Sequence, residues 1–269
     1  MLRRKALRRQ YNLFKTFANW WLYYAEKFGL CRLPLVFVTR KGVSVRVPQQ
    51  LYPEFKSIFL REHYLEGLCL PLPGRPVVVD IGANVGFFTL FAASKWGGRV
   101  FSYEPVRANF DEMVRNVEKN SHITVKCVQA AVSGAPGSVE IAGHRDETFP
   151  TTARVSPPGG TTISEKVRAV TLLQILEEEG LPWVDLLKMD CEGSEFSILY
   201  RSTQETLGRI GQMAIEVHPN RQDDESNAGA LCAFLESAGF TVRTNDKGSY
   251  LWARNRRDRP SFAQGFSMK

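Results

Sequence analysis

The 269-residue sequence lacks any uninterrupted apolar run of about 18 residues, so no membrane-crossing helix is expected. It also lacks a Cys-x-x-Cys pair. The five cysteines (Cys31, Cys69, Cys127, Cys191 and Cys232) are odd in number and widely spaced. That argues against a disulfide framework or a zinc knuckle and for a reducing compartment, so a cytoplasmic location is expected. No internal repeat is present. The basic, aromatic start is interrupted by Lys15 and Asn19 and has no small-residue cleavage site, so a signal peptide is not expected. What remains is an ordinary globular composition, 43% hydrophobic and 23% charged, long enough for one or two domains.

Net charge is +7 and unevenly spread. Arg3, Arg4, Lys5, Arg8 and Arg9 crowd one end; Arg254, Arg256, Arg257 and Arg259 crowd the other. The basic residues sit at the termini rather than interleaved with aromatics along a groove, so a nucleic-acid partner is not expected. Within residues 1–29, Tyr11, Phe14, Phe17, Trp21, Tyr24 and Phe28 recur at helical steps and predict one amphipathic aromatic helix. Its stripe could pack on the main domain, lie in an anionic lipid interface as a peripheral membrane contact, or form a homodimer face.

Residues 35–47 read as two strands around a turn at Arg40–Gly42, and residues 53–67 as a helix with Pro53 in its first turn. The breaker-rich segment at 71–76 is a linker, which divides the chain into an N-terminal extension, 1–75, and a main domain, 76–269. From Val77 the pattern alternates strands and helices. Strands are expected at 77–81, 99–103, 123–129, 166–172, 184–190, 212–218, 240–244 and 249–254, with a polar insertion at 143–162. This alternation predicts an α/β fold with a parallel sheet covered on both faces.

The strongest local signal is Asp80-Ile-Gly82-Ala83-Asn84-Val-Gly86 after the strand Val77–Val79. Gly82 and Gly86 permit a close backbone approach to a ligand, and the turn opens a helix N-terminus. Glu104 ends the next strand, 22 residues past Gly82, where a carboxylate accepts hydrogen bonds from ribose hydroxyls. NAD and S-adenosylmethionine share this geometry. Position 84 is Asn rather than the second glycine of the NAD fingerprint, and Asp80 suits a ligand that carries an ammonium group. S-adenosylmethionine is therefore the expected cofactor.

With these blocks go Tyr103-Glu104-Pro105, the run from Gln129 to Ser133, the run from Leu186 to Phe196 (LLKMDCEGSEF) and Ile215-Glu216-Val217-His218. Over roughly residues 75–220 the chain resembles the FkbM family of S-adenosylmethionine-dependent methyltransferases. The resemblance implies a Rossmann-like class I sheet of seven strands, ordered 3-2-1-4-5-7-6 with strand 7 antiparallel. It implies O-methylation of hydroxyls on sugars, glycans or natural products, and an adenine contact at Gln129 and Ala130.

The segment Lys188-Met-Asp190-Cys-Glu192-Gly-Ser-Glu195 brings three carboxylates to a strand end. Asp190 could orient or deprotonate an acceptor hydroxyl, or, with Glu216 or His218, hold a divalent cation such as Mg²⁺. Glu216 and His218 alternate to one side, and His218 is suited to accept a proton near neutral pH. Asp190, Glu192, Glu216 and His218 are the expected catalytic set, and Asp190 is also expected to touch the cofactor. The chain lacks the Asn/Asp-Pro-Pro-Tyr signature of nucleobase methylation. N-methylation of another amine, and action on a lipid-linked glycan at a membrane, are the alternatives.

Overall fold

The computed structural model describes residues 2–32, 34–142, 154–155, 164–219 and 225–260. The chain opens with helices α1 (Leu2–Thr16) and α2 (Trp21–Lys27), then a hairpin of β1 (Leu35–Val38) and β2 (Ser44–Val47). A short helix α3 (Tyr52–Phe55) runs into one turn-and-a-half of π-helix, Lys56–Arg61. Glu62 stops it in the left-handed conformation at φ 53°, and a 3₁₀ turn, His63–Leu65, follows. The single helices expected over 1–29 and 53–67 are thus each broken. In the first case Phe17 bridges Thr39, and Asn19 hydrogen-bonds the backbone of Val36 and Val38 along β1. The edge of β1 takes hydrogen-bonding groups that a continuous helix would have kept.

The main sheet holds β3 (Val77–Ile81), β4 (Arg99–Tyr103), β5 (Thr124–Val128), β10 (Val184–Met189), β11 (Ile210–Glu216), β12 (Phe240–Thr244) and β13 (Tyr250–Asn255). Their spatial order is β12-β13-β11-β10-β3-β4-β5. All neighbouring pairs are parallel except those of β13, which runs antiparallel to both β11 and β12. This is the expected seven-stranded order 3-2-1-4-5-7-6. Every residue of β3 and β10 is buried, which explains their unbroken apolar reading: helices cover both faces.

The expected strand at 166–172 does not join this sheet. It forms β9 (Ser164–Val170), which pairs with β6 (Ala131–Val132) and β7 (Gly137–Ala142); β7 also pairs with β8 (Arg154–Val155). The antiparallel β7–β9 ribbon puts Ile141, Val167 and Ala131 into a small apolar cluster of its own beside the main sheet. The rest of the expected insertion, 143–153 and 156–162, lies outside the described residues.

One face of the main sheet (Val77, Val79, Ile81, Leu187, Met189) packs against α6 (Leu172–Glu178), α7 (Glu195–Tyr200), α8 (Gln204–Leu207) and α9 (Ala228–Ser237). The other face (Val78, Leu186, Ala214) packs against α4 (Phe87–Trp96). Over α4 lies the N-terminal segment: Leu13, Phe17, Phe37, Phe55, Phe59, Tyr64 and Leu65 share that same core. Phe55 contacts Phe17, Phe37, Phe59 and Phe87 at ring-centroid distances of 4.7–5.9 Å. Aromatic contacts of this kind add to area burial. They seat the first 70 residues as a cap against α4, with α5 (Arg107–Glu118) alongside.

Candidate active site

The turn after β3 is held from below. Gly82 sits at φ +72°, and a Cβ there would lie 1.7 Å from the carbonyl oxygen of Asp190. Gly86, at φ +85°, meets Met113 Cγ of α5 at 2.9 Å in the same test. Both glycines therefore let neighbouring chain segments close on the turn, where the sequence pointed to a ligand as the close neighbour. Ala83 is buried and its N–H donates to the Tyr103 carbonyl.

Asp80 is fully buried and faces Lys188 across the β3–β10 register, Nζ to Oδ1 3.1 Å, while the Thr89 hydroxyl donates to its other oxygen. Lys188 Nζ also donates to the Gly82 carbonyl at 2.7 Å. Burial works against the ammonium, but Asp80 and Asp190 outweigh it and hold Lys188 charged well above the ordinary lysine range. The charge of Asp80 is taken up inside the protein, whereas the sequence suggested a ligand's ammonium as its partner. Register explains the difference: Lys188 lies directly opposite Asp80 on the adjacent strand.

Glu104 ends β4 and is 4% exposed. One oxygen accepts the N–H of Asn84 at 2.8 Å and the other the N–H of Val106 at 3.0 Å. Asn84 reaches this position in the left-handed region, φ 51°. Burial raises Glu104 to about 7, against the pull of those two donors. Glu104 lines a cleft with a cavity volume of about 70 Å³. Gly82, Asn84, Ala130, Ile141, Asp190 and Glu192 are among the residues lining it. Gln129 lies beside this lining: its amide donates to Glu165 and its carbonyl accepts from Arg107.

At the far wall stand the carboxylates of the β10 exit. Glu192 takes φ 53° and Gly193 φ 104°, and Glu195 begins α7. A β-carbon-bearing residue in the left-handed region is strained, a feature that concentrates at functional sites. His218 Nδ1 lies 2.7 Å from Glu195, and Nε2 lies 3.8 Å from both Asp190 and Glu192. Burial lowers the imidazolium's stability, but Glu195, Asp190 and Glu192 together outweigh it and raise His218 to about 9. His218 therefore carries its proton at neutral pH, where the sequence suggested a ready proton acceptor. Asp190, Glu192 and His218 each offer one ligand atom within 4.8 Å of the others, a make-up that suits a divalent cation in place of the Nε2 proton.

Three further residues reach the site without any motif to announce them. The Tyr64 hydroxyl lies 2.9 Å from Asp190 Oδ2 and 3.0 Å from Glu216 Oε2, bridging two expected site residues. Its ring packs among His63, Phe88 and Tyr250, and the Tyr250 hydroxyl also bonds Glu216. Glu216 is raised by burial and then by Asp190. Glu54 Oε2 accepts the side-chain amide of Asn84 at 3.0 Å. Burial, then Asp190, raises Glu54 to about 8. In the sequence Glu54 is one acid in the first turn of a short helix, and Tyr64 one aromatic among many. His63, by contrast, is half-buried, bonded to Ser57 and pushed down by desolvation to about 4.

The methyltransferase FkbM domain matches residues 80–242 of this chain. The chain belongs to the FkbM methyltransferase family. It is 28% identical to the 31-O-demethyl-FK506 methyltransferase FkbM of Streptomyces tacrolimicus, over 70% of this chain and 81% of that protein. It is 27% identical to the AMB antimetabolite synthetase AmbE of Pseudomonas aeruginosa over 75% of this chain; that match spans only 11% of AmbE. It is 24% identical to the hexuronic acid methyltransferase AglP of Haloferax volcanii, over 53% of this chain and 56% of AglP. In this FkbM-family methyltransferase, Glu54 and Tyr64 precede the matched span and Tyr250 follows it, yet all three reach carboxylates or the turn within it.

Proposed function

We propose that this methyltransferase uses S-adenosylmethionine to methylate a hydroxyl of a small-molecule or glycan acceptor. The observation that carries the cofactor assignment is Glu104, a buried carboxylate at the end of the second sheet strand, facing the cleft and beside the glycine turn. Oε2 keeps a lone pair for a ribose hydroxyl, and Oε1 also takes the Asn109 side-chain amide, at a long 3.5 Å that a ribose hydroxyl can displace. The lining is rich in carboxylates, which suits a ligand with a sulfonium and an ammonium. The 31-O-demethyl-FK506 and hexuronic acid methyltransferase activities of FkbM and AglP support an oxygen-bearing acceptor of small or sugar size.

Bound there, S-adenosylmethionine would supply a methyl group activated by its sulfonium and depart as the thioether S-adenosylhomocysteine. The chain's own residues do the rest. Asp190 accepts the acceptor's O–H hydrogen bond and takes its proton as the oxygen lone pair forms the new O–C bond. Glu216 sits across the Tyr64 hydroxyl, so a proton entering this carboxylate pair relieves repulsion between two negative charges. Tyr64 fixes Asp190 in place. His218, as the imidazolium, offsets the charge of Glu192 and Glu195 beside it. Alignment of the acceptor oxygen behind the methyl carbon carries much of the rate in such a displacement.

Calorimetry of S-adenosylhomocysteine on the native protein and on Glu104→Ala tests this reading. Two charge-assisted hydrogen bonds at about 1.5–3 kcal/mol each predict a loss of roughly 100-fold or more in the variant. Absence of binding to the native protein would overturn the cofactor assignment. Turnover that depends on added Mg²⁺ would move the activation of the hydroxyl from Asp190 to an ion on Asp190, Glu192 and His218.

A further inference from the structure

The aromatic series of residues 1–29 points the other way from its packing. The side chains that anchor α1 are Leu13 and Phe17, at 1% and 0% exposure, with Asn12 donating to the Leu60 carbonyl. Tyr11, Phe14, Trp21 and Phe28 of the series are instead 62%, 39%, 55% and 69% exposed, and Leu7 and Leu30 reach 69% and 80%. These six make up most of the nine large apolar side chains exposed among the described residues. Leu7, Tyr11 and Phe14 follow at steps of four and three, so they share one face of α1, opposite the packed one. Phe14 touches Trp20 of the connection and Tyr24 of α2 at centroid distances of 4.8 and 6.5 Å, joining the two helices into one aromatic hairpin.

The charge is concentrated in the same place. Residues 1–34 contain eight Lys and Arg against one acid, Glu26; the other 235 residues contain 27 of each sign. The whole +7 of the protein therefore belongs to residues 1–34, with +6 of it on the α1–α2 hairpin itself. Arg8 is spoken for by Glu62 and Glu66, and Lys15 and Lys27 lie over the rings of Tyr11 and Phe28.

We propose that the α1–α2 hairpin is a docking surface for an anionic lipid bilayer, with Leu7, Tyr11, Phe14, Trp21, Phe28 and Leu30 entering the headgroup layer. Exposed rings and leucines on a basic helical face have the chemistry of an interfacial anchor, which lies on the membrane and does not cross it. None of the described helices is long and apolar enough to cross. Charge decides between occupants. A second copy of the chain would set +7 against +7 across the contact, and a neutral protein partner would leave that charge unmatched. A lipid surface rich in phosphate matches it and accepts aliphatic Leu7 and Leu30, which have no stacking role on a nucleic acid. The docked hairpin rests directly on Lys56–Arg61, the π-helical segment between Glu54 and Tyr64. The proposal stands independently of the cofactor assignment.

The test is co-sedimentation of the full chain with sucrose-loaded vesicles, phosphatidylcholine alone against phosphatidylcholine with about 30 mole per cent phosphatidylglycerol. The expected result is a preference of at least about tenfold for the anionic vesicles, declining as salt screens the surface. A triple variant, Leu7→Ser, Phe28→Ser and Leu30→Ser, is expected to weaken that partition about tenfold with an unchanged melting curve, since all three side chains lie outside the core. Quenching by brominated lipid is expected to fall in Trp21→Phe. Equal partition of the folded chain onto both vesicle types would overturn the proposal. So would a dimer in solution that the triple variant dissociates, or tighter retention on an oligonucleotide than on the anionic vesicles.

Discussion

Asn84 stands between two carboxylates of different origin, one buried and one half-buried. Glu104, from the strand side of the cleft, accepts its backbone N–H; Glu54, from the cap, accepts its side-chain amide. Glu104 is held by two backbone donors and is raised only to about 7. Glu54 is raised to about 8 by desolvation first, then by the charges of Asp190, Glu104 and Asp80, with Lys188 opposing them. On the sheet side two backbone donors thus offset part of the cost of burying a charge. The cap half is built so that its charge comes at a cost which a cationic ligand would remove. The first arrangement is fixed by backbone, the second by chain segments far apart in sequence, and perturbations should separate the two.

The largest effect is expected at the backbone itself. Gly82→Ala places a methyl 1.7 Å from the Asp190 carbonyl, a backbone atom that cannot rotate away. S-adenosylhomocysteine binding should be lost by about 100-fold or more, with a lower melting temperature, since strain of this kind exceeds a typical surface change. An unaffected Gly82→Ala would break the claim that the turn is fixed by its neighbours.

Tyr64→Phe comes next and addresses the cap. It removes the hydroxyl that bridges Asp190 and Glu216 but keeps the ring contacts with Phe88 and Tyr250. Turnover is expected to fall roughly 10- to 100-fold, the usual range for a group that assists proton transfer, while S-adenosylhomocysteine affinity stays within about twofold. Equal losses in affinity and turnover would make Tyr64 structural.

A smaller effect is expected at Glu54. We propose that its carboxylate answers the ammonium of the cofactor, since Asp80 is already committed to Lys188. Glu54→Gln should weaken S-adenosylhomocysteine about tenfold, the value of one charged hydrogen bond, and leave 5′-methylthioadenosine, which has no amino-acid end, unchanged. Equal weakening of both ligands would place Glu54 elsewhere in the site.

How much of this was legible in the sequence follows the same division. The strand positions, the glycine turn and Glu104 at its strand end could be read because each is a local pattern: an apolar run, a turn, a carboxylate at fixed separation; the strand order came only with the family resemblance. Asp80 was misleading because its partner, Lys188, is 108 positions away and meets it only through sheet register. His218 was readable as a site residue but not as an imidazolium, since its proton is held by Glu195, Asp190 and Glu192 from another strand exit. The β9 strand read as one more member of the main sheet because periodicity carries no information about which edge it joins. Glu54 and Tyr64 left no signal at all: the helical break at Glu62 that aims Tyr64 follows from the cap packing on α4.

The mildest perturbation, pH, reads both halves together. Glu54, Glu104 and His218 all have folded pKa values above their ordinary ones, about 8, 7 and 9 against 4.5, 4.5 and 6.5. In each case the folded state binds more protons than the unfolded one over that interval. Their contribution to stability is fully present below the ordinary value and is lost as pH rises through the folded value. The ligand-free protein should therefore melt lower at pH 9 than at pH 6, by about 5–10 °C if the contributions add. Glu54→Gln should flatten the part of this slope between pH 6 and 8, because the amide has no proton to lose. S-adenosylhomocysteine should bind more tightly as pH rises through the same interval, since its ammonium meets an ionised Glu54 and its ribose an ionised Glu104. A melting temperature that rises from pH 6 to 9 in the ligand-free protein would remove the cost assigned to the cap carboxylate, and with it the contrast between the two halves of the site.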